Sequence, residues 1–180
     1  MQIRTETDRK VWFSMWFLAS IATFGAAFFP MFYRLIDGRN KHFRREADLE
    51  RRIEAFLRKQ EKKPPATSHS FNEMNAKAWA ASIILVVPVF VITYLLSRDL
   101  LVHEKSQDEF LANAFPERMF MPQTIPIKKY ALITIVTLGV GIVYWLYKII
   151  NLYNAHFTAQ RKIEKEIAKL MEEKKIGKSL

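Results

Sequence analysis

Three long stretches without a charged residue alternate along this chain with strongly charged stretches. The charge-free runs cover residues 11–33, 78–96 and 130–147 and contain 23, 19 and 18 residues. At about 1.5 Å per residue, a helix of this length approaches the ~30 Å of hydrocarbon in a bilayer. The pattern therefore predicts an all-α membrane protein with three transmembrane helices, over residues 11–36, 77–98 and 129–151.

The polar stretches that follow the first and third runs keep a helical period. Apolar residues recur there at three- and four-residue steps among charged ones, at Leu49, Ile53 and Phe56 and again at Ile163, Ile167 and Leu170. The pattern predicts cytoplasmic amphipathic helices over residues 37–63 and 152–175. Their apolar seams predict that the two helices pair as a short coiled coil.

The first and last parts of the chain are copies of one unit. A shift of 114 residues without a gap superposes identical residues, among them Thr23 on Thr137, Gly25 on Gly139 and His42 on His156. This duplication predicts a first repeat, a connector and a second repeat, over residues 1–63, 64–128 and 129–180. Within the connector, the sequence predicts a linker, the middle span and an external loop with a short interfacial helix over 107–115.

The positive charge is concentrated beside the predicted spans. Residues 37–76 hold ten Lys and Arg and residues 151–180 hold seven, against three in each of the segments 1–10 and 103–128. The positive-inside rule then predicts a multi-pass plasma-membrane protein with the amino terminus outside and the carboxyl terminus in the cytoplasm. Contacts with anionic lipid headgroups are expected from Arg34, Arg39, Lys41, Arg44, Arg45 and Lys148.

A net charge of +10 raises the alternative of nucleic-acid binding. No nucleic-acid partner is expected, since neither an aromatic platform nor a recognition fold accompanies the charges. The expected partners are membrane lipids, other membrane subunits or further copies of the chain.

Two histidines occupy equivalent positions of the repeated unit. Extending the seam towards the membrane places His42 and His156 opposite one another just below the bilayer. They could form a metal site, a haem site or a pH-sensitive contact; alternatively, each caps carbonyls, meets headgroups or packs against Asn40 or Asn154. Because two histidines without a carboxylate or cysteine partner form a weak ligand set, no metal ion, cofactor or catalytic residue is expected.

The chain offers little for catalysis. It contains no cysteine, its three apolar runs contain no ionisable side chain of the Asp, Glu, His, Lys or Arg type, and no phosphate-binding or nucleophile motif is present. The leading hypothesis is a non-enzymatic scaffold or accessory subunit of a larger membrane complex, acting through helix–helix contacts. One alternative is a small oligomeric transporter or channel with a polar route along Thr23, Thr137, Asn40 and Asn154. Another is a haem- or metal-binding oxidoreductase subunit that uses His42 and His156.

One stretch also resembles a known family. The run Thr137-Leu-Gly-Val-Gly-Ile-Val-Tyr-Trp-Leu-Tyr-Lys148 is similar to the hallmark of the prokaryotic membrane family catalogued as domain of unknown function 4234. Asn154-Ala-His-Phe and Gln160 are similar to its archaeal versions. The resemblance covers mainly residues 137–171 and, more weakly, 23–57. It implies a small helical membrane protein of prokaryotic type and supplies no activity.

Overall fold

The computed structural model describes residues 8–65, 71–116 and 124–176, and this part of the chain is all-helical, so the all-α prediction is confirmed. The predicted linker, residues 64–69, lies largely outside the described ranges. A short 3₁₀ turn, Ile83–Leu85, separates α3 from α4. The helices are α1 (Phe13–Ala22), α2 (Phe28–Lys59), α3 (Ala76–Ser82), α4 (Val87–Ala114), α5 (Ile127–Val136) and α6 (Gly141–Ile176).

The first and third apolar runs each reverse direction at a glycine. Phe24 and Gly25 have φ angles of 49° and 91° between α1 and α2, and the equivalent Leu138 and Gly139 have 52° and 95° between α5 and α6. In both turns the glycine N–H donates to the carbonyl five residues earlier at 2.7 Å. This bond closes a Schellman motif, which ends one helix and turns the chain. Each run is therefore a helical hairpin.

Contacts between the arms of these hairpins bear out the reversal. The guanidinium of Arg34 on α2 lies 5.3 Å from the Trp16 ring on α1. The rings of Tyr130 on α5 and Tyr144 on α6 are 5.9 Å apart. The two residues of each pair lie at comparable distances before and after the turn, as the antiparallel arms of a hairpin require.

The middle run reverses at Val86. Its φ angle is 63°, and it lies between the 3₁₀ turn and α4. Pro88 stands in the first turn of α4, where a missing N–H costs no helical hydrogen bond. The chain therefore reverses near residues 84–88, where a proline inside a continuous span would have produced only a kink. Pro30 occupies the same kind of position, in the first turn of α2.

These reversals change the predicted architecture. Among the described residues, none of the helices has both the length and the apolar character needed to cross a membrane. The spans expected over residues 11–36, 77–98 and 129–151 are each divided into two arms. The sequence analysis treated each span as a continuous helix, in which glycine and proline would cause only a bend. In the structure, residues with left-handed φ angles end one helix, and a new helix begins in the opposite direction.

The three hairpin tips lie at one end of the molecule. An apolar cavity of about 620 Å³ opens between them, and its lining includes Phe24 and Val86 from the first two tips and Ile142 from the start of α6. The Phe90 ring lies 3.4 Å from the position that a Cβ atom would take at Gly139. All three tips therefore point the same way, and the long helices α2, α4 and α6 run from them towards the opposite end.

At that opposite end, the long helices share a second apolar cluster. All six residues predicted to pair the cytoplasmic helices contribute to it: Leu49, Ile53, Phe56, Ile163, Ile167 and Leu170. α4 adds Phe110, Leu111 and Ala114, so three helices meet where the sequence predicted a two-helix coiled coil. The segment 107–115, predicted as an external interfacial helix, is mostly the end of α4. This segment packs against the ends of α2 and α6. The predicted topology instead placed it outside the membrane and those helix ends in the cytoplasm.

Candidate metal centre

One histidine from each long helix points to the centre of the bundle. His42 lies on α2, His103 on α4 and His156 on α6. Each follows the left-handed residue of its own hairpin tip by 17 or 18 residues. Because the helices start at the same end and have the same rise per residue, this equal spacing brings the three imidazoles to one level.

The imidazoles form a nearly equilateral triangle. The Nε2 atom of His42 lies 3.3 Å from Nε2 of His103 and 2.9 Å from Nε2 of His156. The ring centroids are 4.9, 5.2 and 5.1 Å apart, and the ring planes cross at 80–85°. One nitrogen from each ring lies within 4.8 Å of the other two, and all three side chains are buried. The three ring centroids therefore surround one point at nearly equal distances from one another.

Two of the imidazoles contact a buried carboxylate through their outer nitrogen. Nδ1 of His42 lies 3.4 Å from Asp8 Oδ1, and Nδ1 of His156 lies 3.0 Å from Glu104 Oε1. Asp8 also pairs with Arg45. Burial by itself raises the pKa of Asp8, but the hydrogen bonds from His42 and Arg45 outweigh it and leave that pKa below its ordinary value. Asp8 is therefore ionised and accepts from the Nδ1–H group of His42.

Burial holds two of the three histidines in the neutral form. Burial lowers the pKa of His42 to about 4, although Asp8 acts in the opposite direction. Burial and the two neighbouring imidazoles lower the pKa of His103 well below its ordinary value. A neutral imidazole that donates from Nδ1 carries a lone pair on Nε2. With Nδ1 of His42 and of His156 each turned towards a carboxylate, the two Nε2 atoms face each other across 2.9 Å, close enough to share a single cation.

This donor set fits a transition-metal ion. Zinc binds imidazole nitrogen at about 2.0–2.1 Å with tetrahedral geometry, so two of its nitrogen ligands are about 3.3 Å apart. The His42–His103 separation has that value, and the His42–His156 separation needs a small outward shift. Carboxylates on the outer nitrogens are the usual support of metal-ligating histidines, because they fix the tautomer and increase ligand basicity. Three protein ligands leave a fourth position for water or another ligand.

The same geometry does not fit haem. A haem ligated by His42 and His156 would have to lie between imidazoles on opposite faces of the porphyrin. Their ring centroids are 4.9 Å apart, and His103 lies against both. No space for a macrocycle exists between them.

A polar layer lies one helical turn below the triangle. Glu46, Gln107 and Gln160 each follow a histidine by four residues. Both carboxylate oxygens of Glu46 accept hydrogen bonds from the two amides, and Gln107 Nε2 also donates to Gln160 Oε1 at 2.7 Å. Burial raises the pKa of Glu46 to about 8. Glu46 is therefore mainly protonated at neutral pH, and the layer adds little negative charge beneath the histidines.

The sequence brought two of the three histidines into consideration and missed the third. His42 and His156 meet as expected, but the expectation of no metal ion counted only that pair. The missing signal was a His-x-x-x-Glu/Gln spacing at 42/46, 103/107 and 156/160, which marks three units where two were recognised. Asp8 has no such signal, because only the hairpin brings it beside α2.

The residues predicted to contact lipid headgroups contact other residues of the chain. Arg39 is buried, pairs with Asp99 at 2.7 Å and covers the Phe43 ring at 4.6 Å, so it is not a headgroup contact. The buried pair shows that Arg39 holds α2 to α4. The other partners are Asp37 for Lys41, Glu73 for Arg44, Asp8 and Glu164 for Arg45, the Trp16 ring for Arg34 and the Tyr144 and Tyr147 rings for Lys148.

The four residues considered for a polar transport route bond to backbone. Thr23 and Thr137 hydroxyls each donate to a carbonyl four residues earlier and accept from an amide four residues later, within the hairpin turns. Asn154 exchanges two hydrogen bonds with the backbone of Val11, and Asn40 exchanges two with Met74. The asparagine bonds join α6 to the segment just before α1, and α2 to the segment just before α3.

Comparisons with known proteins add no relative. The chain matches no family model, no curated protein and no solved structure. The resemblance to the domain of unknown function 4234 family stays a prediction.

Proposed function

We propose that this protein is a metal-binding protein whose His42, His103 and His156 hold one divalent transition-metal ion, with zinc as the best-fitting candidate. The observation that carries the proposal is the 2.9 Å contact between two Nε2 atoms whose imidazoles both direct Nδ1 at a carboxylate. A single cation between these two nitrogens would be coordinated by both imidazoles.

The charge around the site supports a divalent ion. The coordinating atoms are imidazole nitrogens, and Asp8 and Glu104 stand directly behind two of the ligands. Imidazole nitrogen suits zinc, copper, nickel and iron, whereas calcium and magnesium prefer oxygen ligands. Because all three imidazoles are buried, a large substrate could not reach the ion. This favours a structural ion that links the three hairpins.

The test is the metal content of the full-length chain in mild detergent. After loading with zinc and removal of free metal, about one ion per chain is expected for a three-histidine site. With cobalt in place of zinc, the visible absorption of tetrahedral Co²⁺ is expected. His103→Asn should lose both signals.

The fourth histidine of the chain supplies a matched control. His69→Asn removes the same side chain, and it should retain full metal content and the cobalt spectrum. If His103→Asn binds as much zinc as the unaltered chain and gives the same cobalt spectrum, the proposal is wrong.

A metal centre of this kind is compatible with the scaffold or accessory-subunit role predicted from the sequence. A ligated ion would fix the relative positions of α2, α4 and α6 and so stabilise the surfaces that such a subunit presents. That role stays a prediction, and co-purification of partner chains in mild detergent would test it.

A further inference from the structure

The hairpin tips expose an apolar surface that the metal centre does not explain. Phe24 and Leu138 at two of the tips are almost fully exposed, and the apolar residues around Val86 at the third are largely exposed. The surface continues down the hairpin arms through Trp12, Met15, Leu18, Ile21, Ile84, Leu85, Val87, Leu132, Ile135, Val136 and Val140. A contiguous apolar surface of this extent marks an interaction site.

We propose that the three hairpin tips insert into a single leaflet of a lipid bilayer, so that the chain enters and leaves the membrane on the same side. The proposal is independent of the metal centre. Three observations assign this surface to lipid: the length of the hairpin arms, the internal hydrogen bonding of the turns and the cations around the hairpins.

The arms have the length of one leaflet. α1 and α5 contain 10 residues each, which is about 15 Å of helix. The hydrocarbon core of a bilayer is about 30 Å thick, and a helix needs roughly 20 residues to cross it. Arms of this length reach the middle of the bilayer and return.

The turns are suited to hydrocarbon, because their backbone groups bond internally. Gly25 and Gly139 donate to carbonyls of their own hairpins, and Val86 donates to Ile83 at 2.9 Å. Thr23 and Thr137 accept the amides of Ala27 and Gly141. An unsatisfied backbone group in lipid costs several kcal/mol, so a turn exposed to lipid needs such bonds.

Cations encircle the hairpins at one depth. Arg34 and Lys148 each follow the exposed residue of their tip by ten positions, and Arg98 follows Val86 by twelve. Lys77 and Lys129 precede their tips by nine. Arg34 covers Trp16, and Lys148 lies near Tyr144 and Tyr147, which is the mixture of aromatic and basic groups found at a membrane interface. This belt of cations complements anionic headgroups. A protein partner or a second copy of the chain would not account for a belt of cations at one depth.

The test uses the absence of cysteine from the chain. Single-cysteine variants at the exposed positions Arg9, Lys62 and Lys105 are expressed in bacteria and treated with a membrane-impermeant maleimide. Right-side-out and inside-out membrane vesicles are compared. One-leaflet insertion predicts that all three cysteines react from the same face and none from the other. Three membrane crossings would place the cysteine at 62 on the face opposite to those at 9 and 105, and that outcome overturns the proposal.

A second measurement reports the depth of the tips. Phe24→Cys and Leu138→Cys, labelled with a fluorophore in vesicles that contain anionic lipid, should be quenched more strongly by nitroxides deep in the acyl chain than by nitroxides near the headgroup. The reverse order is expected for a cysteine at Arg9. Failure of the protein to float with vesicles, together with a stable detergent-free dimer, would show that another copy covers the tips and would also overturn the proposal.

Discussion

Nε2 of His42 and Nε2 of His156 lie 2.9 Å apart, although 114 residues separate them in the chain. The two residues occupy equivalent positions of the duplicated unit, and the equivalent residue of the middle unit, His103, completes the triangle. A metal ion at this point would connect all three hairpins, so its effect on stability should reach the whole fold.

Metal removal should therefore destabilise the protein. An ion that binds only the folded state adds a free energy of unfolding that grows with its concentration, about 4 kcal/mol at a thousand times Kd. We expect a strong chelator to lower the Tm and added zinc to restore it, as measured by thermal unfolding in mild detergent. His69→Asn should keep this response and His103→Asn should lose it. An identical Tm with and without chelator would contradict the prediction.

Glu104→Gln should weaken metal binding without abolishing it. The change removes the negative charge that lies 3.0 Å from Nδ1 of His156, and loss of such a supporting carboxylate typically lowers metal affinity ~10–100-fold. Competition with a chromophoric zinc chelator measures this ratio. Glu109→Gln, on the same helix but exposed and paired with Lys105 at 4.0 Å, is the control and should retain full affinity.

Arg39→Ala should be strongly destabilising. Asp99 would remain buried and would lose the guanidinium that now lies 2.7 Å away, while keeping the half-exposed Arg98 at 3.0 Å. Breaking a buried ion pair costs about 3–5 kcal/mol, and the remaining Arg98 contact puts this loss towards the lower end. Arg44→Ala removes an exposed partner of Glu73 and should have a far smaller effect, because water screens that pair. Chemical denaturation in mild detergent compares them. Equal effects of the two substitutions would mean that Arg39 is not held as the structure has it.

Two glycines should respond in opposite directions to alanine. Gly139 has a φ angle of 95°, a left-handed conformation in which a side chain costs about 1–2 kcal/mol. Gly38 lies within α2 with nothing near its missing Cβ, so alanine there should stabilise by about 0.5–1 kcal/mol. The free energy of unfolding of each variant measures the difference. Stabilisation by Gly139→Ala would argue against the hairpin turn.

Glu46 should make stability fall as pH rises. Its pKa is about 8 in the folded protein and near 4.5 when exposed, so the folded state binds the extra proton between those values. The corresponding stability is complete below the unfolded pKa and is lost as the pH rises to about 8. Glu46→Gln should flatten this dependence, as seen in Tm values taken across that range with chelator present. The exposed Glu61→Gln should leave the wild-type slope unchanged.

The helical content and the duplicated unit could be predicted from the sequence, because both depend on local period and local identity. The six residues of the predicted seam also meet, since apolar spacing on a helix determines which face is buried. The direction of the chain within each apolar run could not be predicted in this way. Gly25 and Pro30 are compatible with a bent helix or with a reversal, and the contacts between whole arms decide between them.

The sequence by itself determined three apolar runs, their charged flanks and a histidine seven or nine residues beyond each run. Only the tertiary structure decided that the runs fold back as hairpins, and this reversal brings Asp8 beside His42 and Arg45. It also brings His103 into contact with both His42 and His156. The physical reason is that a metal-ligand set depends on distances between side chains on different helices. Spacing along one helix cannot fix those distances, whereas the packing of three hairpins around a common axis does.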